Sequence, residues 1–162
     1  MVMCDRKVAQ GTGDIAVEPA MTQEQCLRAI LAGIEVVADL STQGYEMIGM
    51  GEMGIGNTTP SSALVSVLLN LPVEEVTGRG AGLSDASYNK KVAVIEQAVK
   101  RYWKATEDSE IPDGPFFKID AAVELMSHLG GYEIAAMAGM CLGGAVFGVP
   151  IVLDGYISVA GA

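Results

Sequence analysis

The sequence is poor in the side chains from which many catalytic and metal sites are built. Its single histidine, His128, argues against a histidine-based zinc site and against a Ser-His-Asp triad. Its three cysteines, Cys4, Cys26 and Cys141, show no C-x-x-C spacing, so we expect reduced thiols in a cytoplasmic protein. Ten basic residues stand against 20 acidic ones, and a net charge of -10 argues against a nucleic-acid partner.

Aromatic residues are also scarce, at 6%, although half of the chain is hydrophobic, so the core is expected to be aliphatic. The 20 glycines suggest many tight turns or close backbone contacts. This composition excludes a disordered chain and a disulfide scaffold. At 162 residues, we expect one α/β domain over residues 1–162.

The hydrophobic spacing predicts helices that alternate with short strands. Thr22 is the expected N-cap of a first helix, Asn57 or Thr58 of a second, and Ser84 of a third with an apolar stripe from Tyr88 to Tyr102. Further helices are expected at 119–129 and 132–142, strands at 45–50 and 149–153, a short extended piece at 73–77, and a polar loop at 105–115. This order favours a layered α/β fold with a parallel sheet of two or three strands.

The uncharged stretch 134–153 resembles a membrane span, with small residues spaced four apart at Gly139 and Gly143. Pro150, the Gly143-Gly144 pair and acidic flanks at Glu133 and Asp154 argue against that interpretation. We therefore predict a buried helix, a glycine turn and a buried strand, and no membrane partner.

A glycine-rich turn follows the first predicted strand. Residues 49–54 fit G-x-G-x-x-G, but no suitably placed acidic residue follows to hold a ribose. Residues 51–58 resemble a P-loop except that Asn57 replaces the lysine. What remains is a small anion or sugar site at a strand end and a helix start. Glu52, inside this turn, is placed either to abstract a proton or to accept hydrogen bonds from loop amides.

A second glycine-rich loop spans residues 76–83, and its amides could surround a phosphate. Lys91 follows on the next helix. Taken alone, a helical lysine at this position is expected on the solvated face.

Several segments, in order, resemble nicotinate-nucleotide–dimethylbenzimidazole phosphoribosyltransferases over nearly the whole chain. The most specific is Gly51-Glu52-Met53-Gly54-Ile55-Gly56-Asn57-Thr58-Thr59. The others are Val17-Glu18-Pro19-Ala20-Met21-Thr22, Thr77-Gly78-Arg79-Gly80-Ala81-Gly82-Leu83, Lys91-Val92-Ala93-Val94-Ile95-Glu96, Gly130 to Gly139 and Leu153-Asp154-Gly155-Tyr156-Ile157-Ser158.

The resemblance implies a Rossmann-like three-layer fold with a mainly parallel sheet, of which this chain is the incomplete large domain. It implies transfer of the phosphoribosyl group of nicotinate mononucleotide to 5,6-dimethylbenzimidazole, with α-ribazole 5'-phosphate and nicotinate as products. This reaction belongs to the synthesis of the lower ligand of cobalamin. The resemblance implies neither a metal nor a cofactor.

The site residues implied by the resemblance lie in the two loops and on the following helix. Glu52 is the implied catalytic residue, which orients or deprotonates the benzimidazole, and Met53 would line the base pocket. Lys91 would neutralise the 5'-phosphate. The other expected substrate-binding residues are Gly54, Gly56, Asn57, Thr58, Gly80 and Gly82.

Members of the resembled family carry further N-terminal and C-terminal portions, the latter with the glutamate usually assigned as catalytic base. Neither portion is in this sequence. We therefore keep an alternative in which the chain is a catalytically incomplete nucleotide-binding fragment or one subunit of a split enzyme. A homodimer, or a partner chain that supplies the missing segments, is the expected assembly.

Overall fold

Seven helices and two short strands make up the described part of the chain, residues 3–80, 82–106 and 119–162 of a computed structural model. In chain order they are α1 (Gln23–Thr42), β1 (Ile48–Met50), α2 (Thr58–Leu69), α3 (Val73–Val76), α4 (Asp85–Ala105), α5 (Ile119–Leu129), α6 (Tyr132–Phe147), β2 (Ile151–Leu153) and α7 (Tyr156–Gly161). The predicted polar loop at 105–115 lies outside the described residues, except that Ala105 and Thr106 end α4.

The two strands are parallel neighbours, with Ile48 opposite Ile151 and Met50 opposite Leu153. The carboxyl ends of both strands therefore meet at one edge of the sheet. The helices pack around a main hydrophobic core whose largest fully buried side chains include Met50, Leu64, Ile95, Tyr102 and Leu125. A smaller cluster is formed by Val37, Ile48 and Val149. The predicted α/β class and parallel pairing are confirmed.

Helix α1 begins where the sequence predicts. The Thr22 hydroxyl accepts from the Gln25 amide at 3.1 Å, and the Gln25 side chain accepts from the Thr22 amide at 3.0 Å. This capping box satisfies two backbone donors at the helix start. The chain leaves the helix through Gly44, whose φ of +86° is a conformation that glycine adopts freely.

The glycine turn predicted at Gly143-Gly144 is wrong, because helix α6 continues through both glycines as far as Phe147. These glycines serve packing: Gly143 lies against Val37 and Ile34, and Gly144 against Val149 and Ile151. The chain turns instead at Gly148, where φ is +69°.

Helices α1 and α6 approach backbone to backbone. A Cβ at Gly33 would overlap the Ala136 carbonyl, and a Cβ at Gly139 would overlap the Ile30 carbonyl. The small-residue spacing that resembles a membrane motif therefore joins two helices of this fold. No helix within residues 3–80, 82–106 and 119–162 is long and apolar enough to cross a membrane.

The predicted extended piece at 73–77 is wrong, because Val73–Val76 forms the short helix α3. Pro72 precedes it with φ of −53°, close to the helical value, and Glu74 and Glu75 occupy the favourable first turn. The Thr77 hydroxyl closes the helix by donating to the Val73 carbonyl at 2.6 Å.

The N-terminal segment is held by a side-chain clamp from α4. Arg101 Nε donates to the Ile15 carbonyl and Nη2 to the His128 carbonyl, both at 3.1 Å, while Nη1 lies 3.4 Å from His128 Nδ1. Gln97 adds a bond to the Ala16 carbonyl at 3.0 Å. One arginine thus links α4, the end of α5 and the loop before α1.

Candidate active site

Two acidic residues follow the adjacent carboxyl ends of the parallel strands. Glu52 comes two residues after Met50 of β1, and Asp154 comes directly after Leu153 of β2. This edge is where open α/β sheets ordinarily bind ligands. Glu52, Asp154 and Thr58 line one cavity of about 220 Å³, here called the Glu52 cavity.

The Glu52 carboxylate is held by its own turn through one oxygen. Oε2 accepts from the Gly54 amide at 2.6 Å and from Asn57 Nδ2. A Cβ at Gly54 would overlap the Asn57 amide, so a larger residue there would displace the side chain that donates to Glu52. Oε1 has no hydrogen-bond partner among the described residues, so Glu52 is fixed in orientation and keeps an oxygen for a ligand.

Asn57 lies at the predicted N-cap position of α2 but does not cap the helix with its side chain. It occupies the N-cap position of α2 and is buried, but its side chain makes no capping hydrogen bond because it donates to Glu52 instead. The start of α2 therefore lacks a side-chain cap, and the positive end of the helix dipole stays available to an anion.

Lys91 does not lie on the solvated face of its helix, where a lysine taken alone is expected. Its side chain is buried, with 9% of the residue exposed. Its ammonium donates to Thr58 Oγ1 at 3.0 Å and to the Gly78 carbonyl at 3.1 Å. No ion pair to Lys91 occurs within the part of the chain that the structure describes. Burial lowers the pKa of Lys91 below its ordinary value, since neutral acceptors replace water without balancing the charge.

Lys91 lines a second cavity of about 510 Å³, here called the Lys91 cavity. Gly56 and Thr58 from the first loop region and Gly80 from the second loop also line it. Lys90 and Arg79 add further positive charge, although Arg79 is paired with Asp85 at 2.7 Å. The cavity is therefore cationic in a protein of strongly negative net charge.

The Glu52 and Lys91 cavities adjoin at α2. Thr58 lines both, and its hydroxyl accepts from Lys91, while the preceding residue, Asn57, donates to Glu52. The structure thus brings together Glu52, Gly54, Gly56, Asn57, Thr58, Gly80 and Lys91. A third cavity, about 630 Å³ in volume, is lined in part by residues 54–57.

Two of the expected substrate-binding residues lie apart from this group. The Met53 side chain points fully into solvent, so it lines no base pocket in this conformation. Gly82 shapes the second loop, with φ of +94° and its amide donating to the Arg79 carbonyl at 3.3 Å.

Sequence reasoning missed Tyr156 and Asp154. The Tyr156 hydroxyl donates to the Val76 carbonyl at 2.9 Å and so joins α7 to the beginning of the second glycine loop. The sequence does carry a signal for Asp154. Residues that directly follow parallel strands share one edge of the sheet, and Asp154 follows the second predicted strand as Glu52 follows the first. Residues 3–80, 82–106 and 119–162 contain no cluster of three metal-ligating side chains.

Comparison with known proteins agrees with this architecture. A family model described as phosphoribosyltransferase matches residues 1–162. The nicotinate-nucleotide–dimethylbenzimidazole phosphoribosyltransferase of Chlorobium chlorochromatii is 46% identical over 162 residues, which are all of this chain and 42% of the relative. The Roseiflexus castenholzii enzyme of the same name is 42% identical over 99% of this chain and 42% of its own length.

The crystal structure of CobT from Thermus thermophilus superposes with a TM-score of 0.83 at 37% identity, covering 98% of this chain and 43% of that one. The fold and the match along the whole chain define the class of protein, a family of phosphoribosyltransferases. The chain belongs to the nicotinate-nucleotide–dimethylbenzimidazole phosphoribosyltransferase family. It spans about two fifths of the length of the relatives it matches.

Proposed function

We propose that this chain carries the phosphate-binding and base-facing part of a phosphoribosyltransferase site. The reaction transfers the phosphoribosyl group of nicotinate mononucleotide to 5,6-dimethylbenzimidazole, giving α-ribazole 5'-phosphate and nicotinate, a step in making the lower ligand of cobalamin. The observation that carries the proposal is the Lys91 ammonium, which is buried against neutral oxygens without a carboxylate. An anion such as a 5'-phosphate supplies the missing charge.

The arrangement of the two cavities supports one orientation of the mononucleotide. The phosphate binds in the Lys91 cavity beside the uncapped start of α2 and the backbone of Gly56 and Gly80. The ribose extends past Thr58, and its C1' then faces the Glu52 cavity. Binding in this way fixes the reacting carbon relative to the incoming base, which lowers the entropic part of the barrier.

Glu52 acts on the incoming azole. A benzimidazole nitrogen attacks C1', the bond from C1' to the nicotinate nitrogen breaks, and nicotinate leaves with the bonding electrons. The proton of the azole N–H passes to a carboxylate, and Glu52 has an oxygen free to orient or accept it. The Gly54 and Asn57 donors hold the other oxygen, so the carboxylate does not need to reorganise during the step.

A second candidate is a nucleotide-binding module without turnover, or one subunit of a split enzyme. The observation that favours it is the span of the chain, which covers 42% of the relatives' length. In that case a homodimer or a partner chain completes the site. The assembly and the cytoplasmic location stay predictions.

Calorimetry with nicotinate mononucleotide tests the binding part of the proposal. Lys91→Met removes the ammonium but keeps an unbranched side chain, and we expect it to weaken binding about tenfold or more because a charge-assisted contact is lost. Lys100→Met is the matched control, because it removes a lysine from the same helix at an exposed position. Equal affinity of wild type and Lys91→Met would contradict the proposal.

Release of nicotinate in the presence of dimethylbenzimidazole separates the two candidates. Turnover by the wild-type chain that is lost in Glu52→Gln supports the enzyme, since glutamine can keep the turn's hydrogen bonds but cannot accept the proton. Binding without any nicotinate release supports the module.

A further inference from the structure

Three hydroxyl side chains fix the backbone where the second glycine loop begins. Ser62, which is fully buried on α2, and Tyr156, the first residue of α7, both donate to the Val76 carbonyl at 2.9 Å. A carbonyl oxygen has two lone pairs, so it accepts both bonds at once. The next residue, Thr77, is tied back to the Val73 carbonyl at 2.6 Å. The end of α3 is therefore held from α2, from α7 and from within α3 itself.

This anchored backbone leads directly to an acceptor of Lys91. The Gly78 carbonyl, two residues after Val76, accepts from the Lys91 ammonium at 3.1 Å. The other acceptor of the ammonium, Thr58 Oγ1 at 3.0 Å, lies on α2 one turn before Ser62. Residues four apart share one face of a helix, so a single face of α2 bonds both to the ammonium and to the backbone that leads to Gly78. The bond from Ser62 thus sets the gap that Lys91 bridges.

The orientation of the ammonium matters because it has only three N–H groups. Two of them donate to Thr58 and Gly78, and the third is left for a ligand in the Lys91 cavity. An ammonium rotates about its bond to Cε and is oriented only by its acceptors. The position of the Gly78 carbonyl therefore decides where the third N–H is directed before any ligand binds.

We propose that Ser62 and Tyr156 are positioning residues that orient the Lys91 ammonium for the phosphate of the mononucleotide. This inference rests on the proposed function, because it takes the phosphate to lie at Lys91. Neither hydroxyl needs to touch the phosphate, since both contribute by removing the cost of ordering the lysine when the ligand binds. Ser62 is expected to contribute more, because it is fully buried, whereas Tyr156 is 44% exposed and its hydroxyl competes with water.

Calorimetry with nicotinate mononucleotide compares the full wild-type chain with Ser62→Ala and Tyr156→Phe, each of which removes one hydroxyl. Ser66→Ala is the matched control. Ser66 lies one turn further along α2 and is also buried, but its hydroxyl donates to the Leu71 carbonyl at 2.7 Å, outside the second loop. Circular dichroism verifies that each variant is folded.

We expect Ser62→Ala to weaken binding about three- to tenfold and Tyr156→Phe about two- to threefold, as the loss of one hydrogen bond implies. Ser66→Ala should bind as the wild type does, although it also loses a buried hydrogen bond. Unchanged affinity in Ser62→Ala or in Tyr156→Phe overturns the inference for that residue.

The same substitutions in the Lys91→Met background separate positioning from a merely structural role. A hydroxyl that acts through the ammonium has no further effect on binding once the ammonium is gone, whereas a structural one weakens binding equally in both backgrounds. Chemical-shift titration with the mononucleotide at millimolar concentration measures the weak affinities of this background.

The outcomes keep the inference and the proposed function apart. Equal losses in the two backgrounds overturn the inference, and the proposed function stands as long as Lys91→Met alone weakens binding. If the wild type does not bind the mononucleotide, or binds it no better than Lys91→Met, the proposed function fails and the inference with it.

Discussion

The single histidine illustrates how one residue's surroundings determine its chemistry. His128 lies at the end of α5, with Arg101 Nη1 3.4 Å from its Nδ1 and the Tyr102 ring packed edge-on against it. Burial and the Arg101 charge lower the pKa of His128 below its ordinary 6.5, and Glu124 opposes them in part. Because a guanidinium can only donate, Nδ1 is the acceptor in this contact, a role that the neutral imidazole with its proton on Nε2 provides.

Acidification is expected to loosen this clamp. The unfolded chain protonates His128 near pH 6.5, whereas the folded chain resists protonation to lower pH. Below about pH 6.5 the unfolded state therefore binds more protons, and the free energy of unfolding falls as the pH drops. Urea unfolding of wild type and His128→Gln at several pH values measures this effect, and the difference between the two should grow as the pH rises through 6.5. A difference that does not change with pH would contradict the assignment.

At the scale of elements, the contact between α1 and α6 depends on glycine. Alanine ordinarily stabilises the interior of a helix relative to glycine by about 0.5–1 kcal/mol. At Gly139 the added methyl would meet the Ile30 carbonyl, which is backbone and cannot move alone. Overpacking therefore outweighs helix propensity.

We expect Gly139→Ala to lower the free energy of unfolding by about 2–3 kcal/mol, because α1 and α6 must separate to admit the methyl group. Chemical denaturation followed by circular dichroism measures the change. Gly49→Ala is the control, since a Cβ there has no neighbour within 4 Å, and its effect should stay within about 0.5 kcal/mol. A Gly139→Ala protein as stable as the wild type would show that the two helices are less closely packed.

At the scale of the whole molecule, the sheet is small and its surroundings are apolar. Parallel sheets are ordinarily covered on both faces, yet Val152 of β2 is 48% exposed, and Met47 and Val146 beside the sheet are 63% and 71% exposed. Each strand also has one edge unpaired among the described residues. Such surface favours association with another polypeptide.

The isolated chain is therefore expected to self-associate as its concentration rises. Light scattering across a concentration series measures this, and Val152→Lys should shift the distribution toward monomer because a charge on the sheet opposes strand and face pairing. Val17→Lys adds the same charge at an exposed position in the turn before α1 and should not. A wild-type monomer at high concentration would contradict the expectation.

The sequence by itself determined several of the local elements and the family. Thr22 and Ser84 mark helix starts, the spacing from Tyr88 to Tyr102 marks a buried face, and the run from Gly51 to Thr59 identifies the family, because each of these signals depends only on neighbours along the chain. It did not determine that Lys91 is buried, that Gly143 and Gly144 continue a helix, or that Asp154 lies beside Glu52. These features depend on contacts between residues far apart in sequence. Lys91 is buried against α2 and the second glycine loop, and Gly143 and Gly144 pack against α1 and β2. Asp154 lies beside Glu52 because of the strand register. Only the tertiary structure decides such contacts, because packing and register bring those residues together.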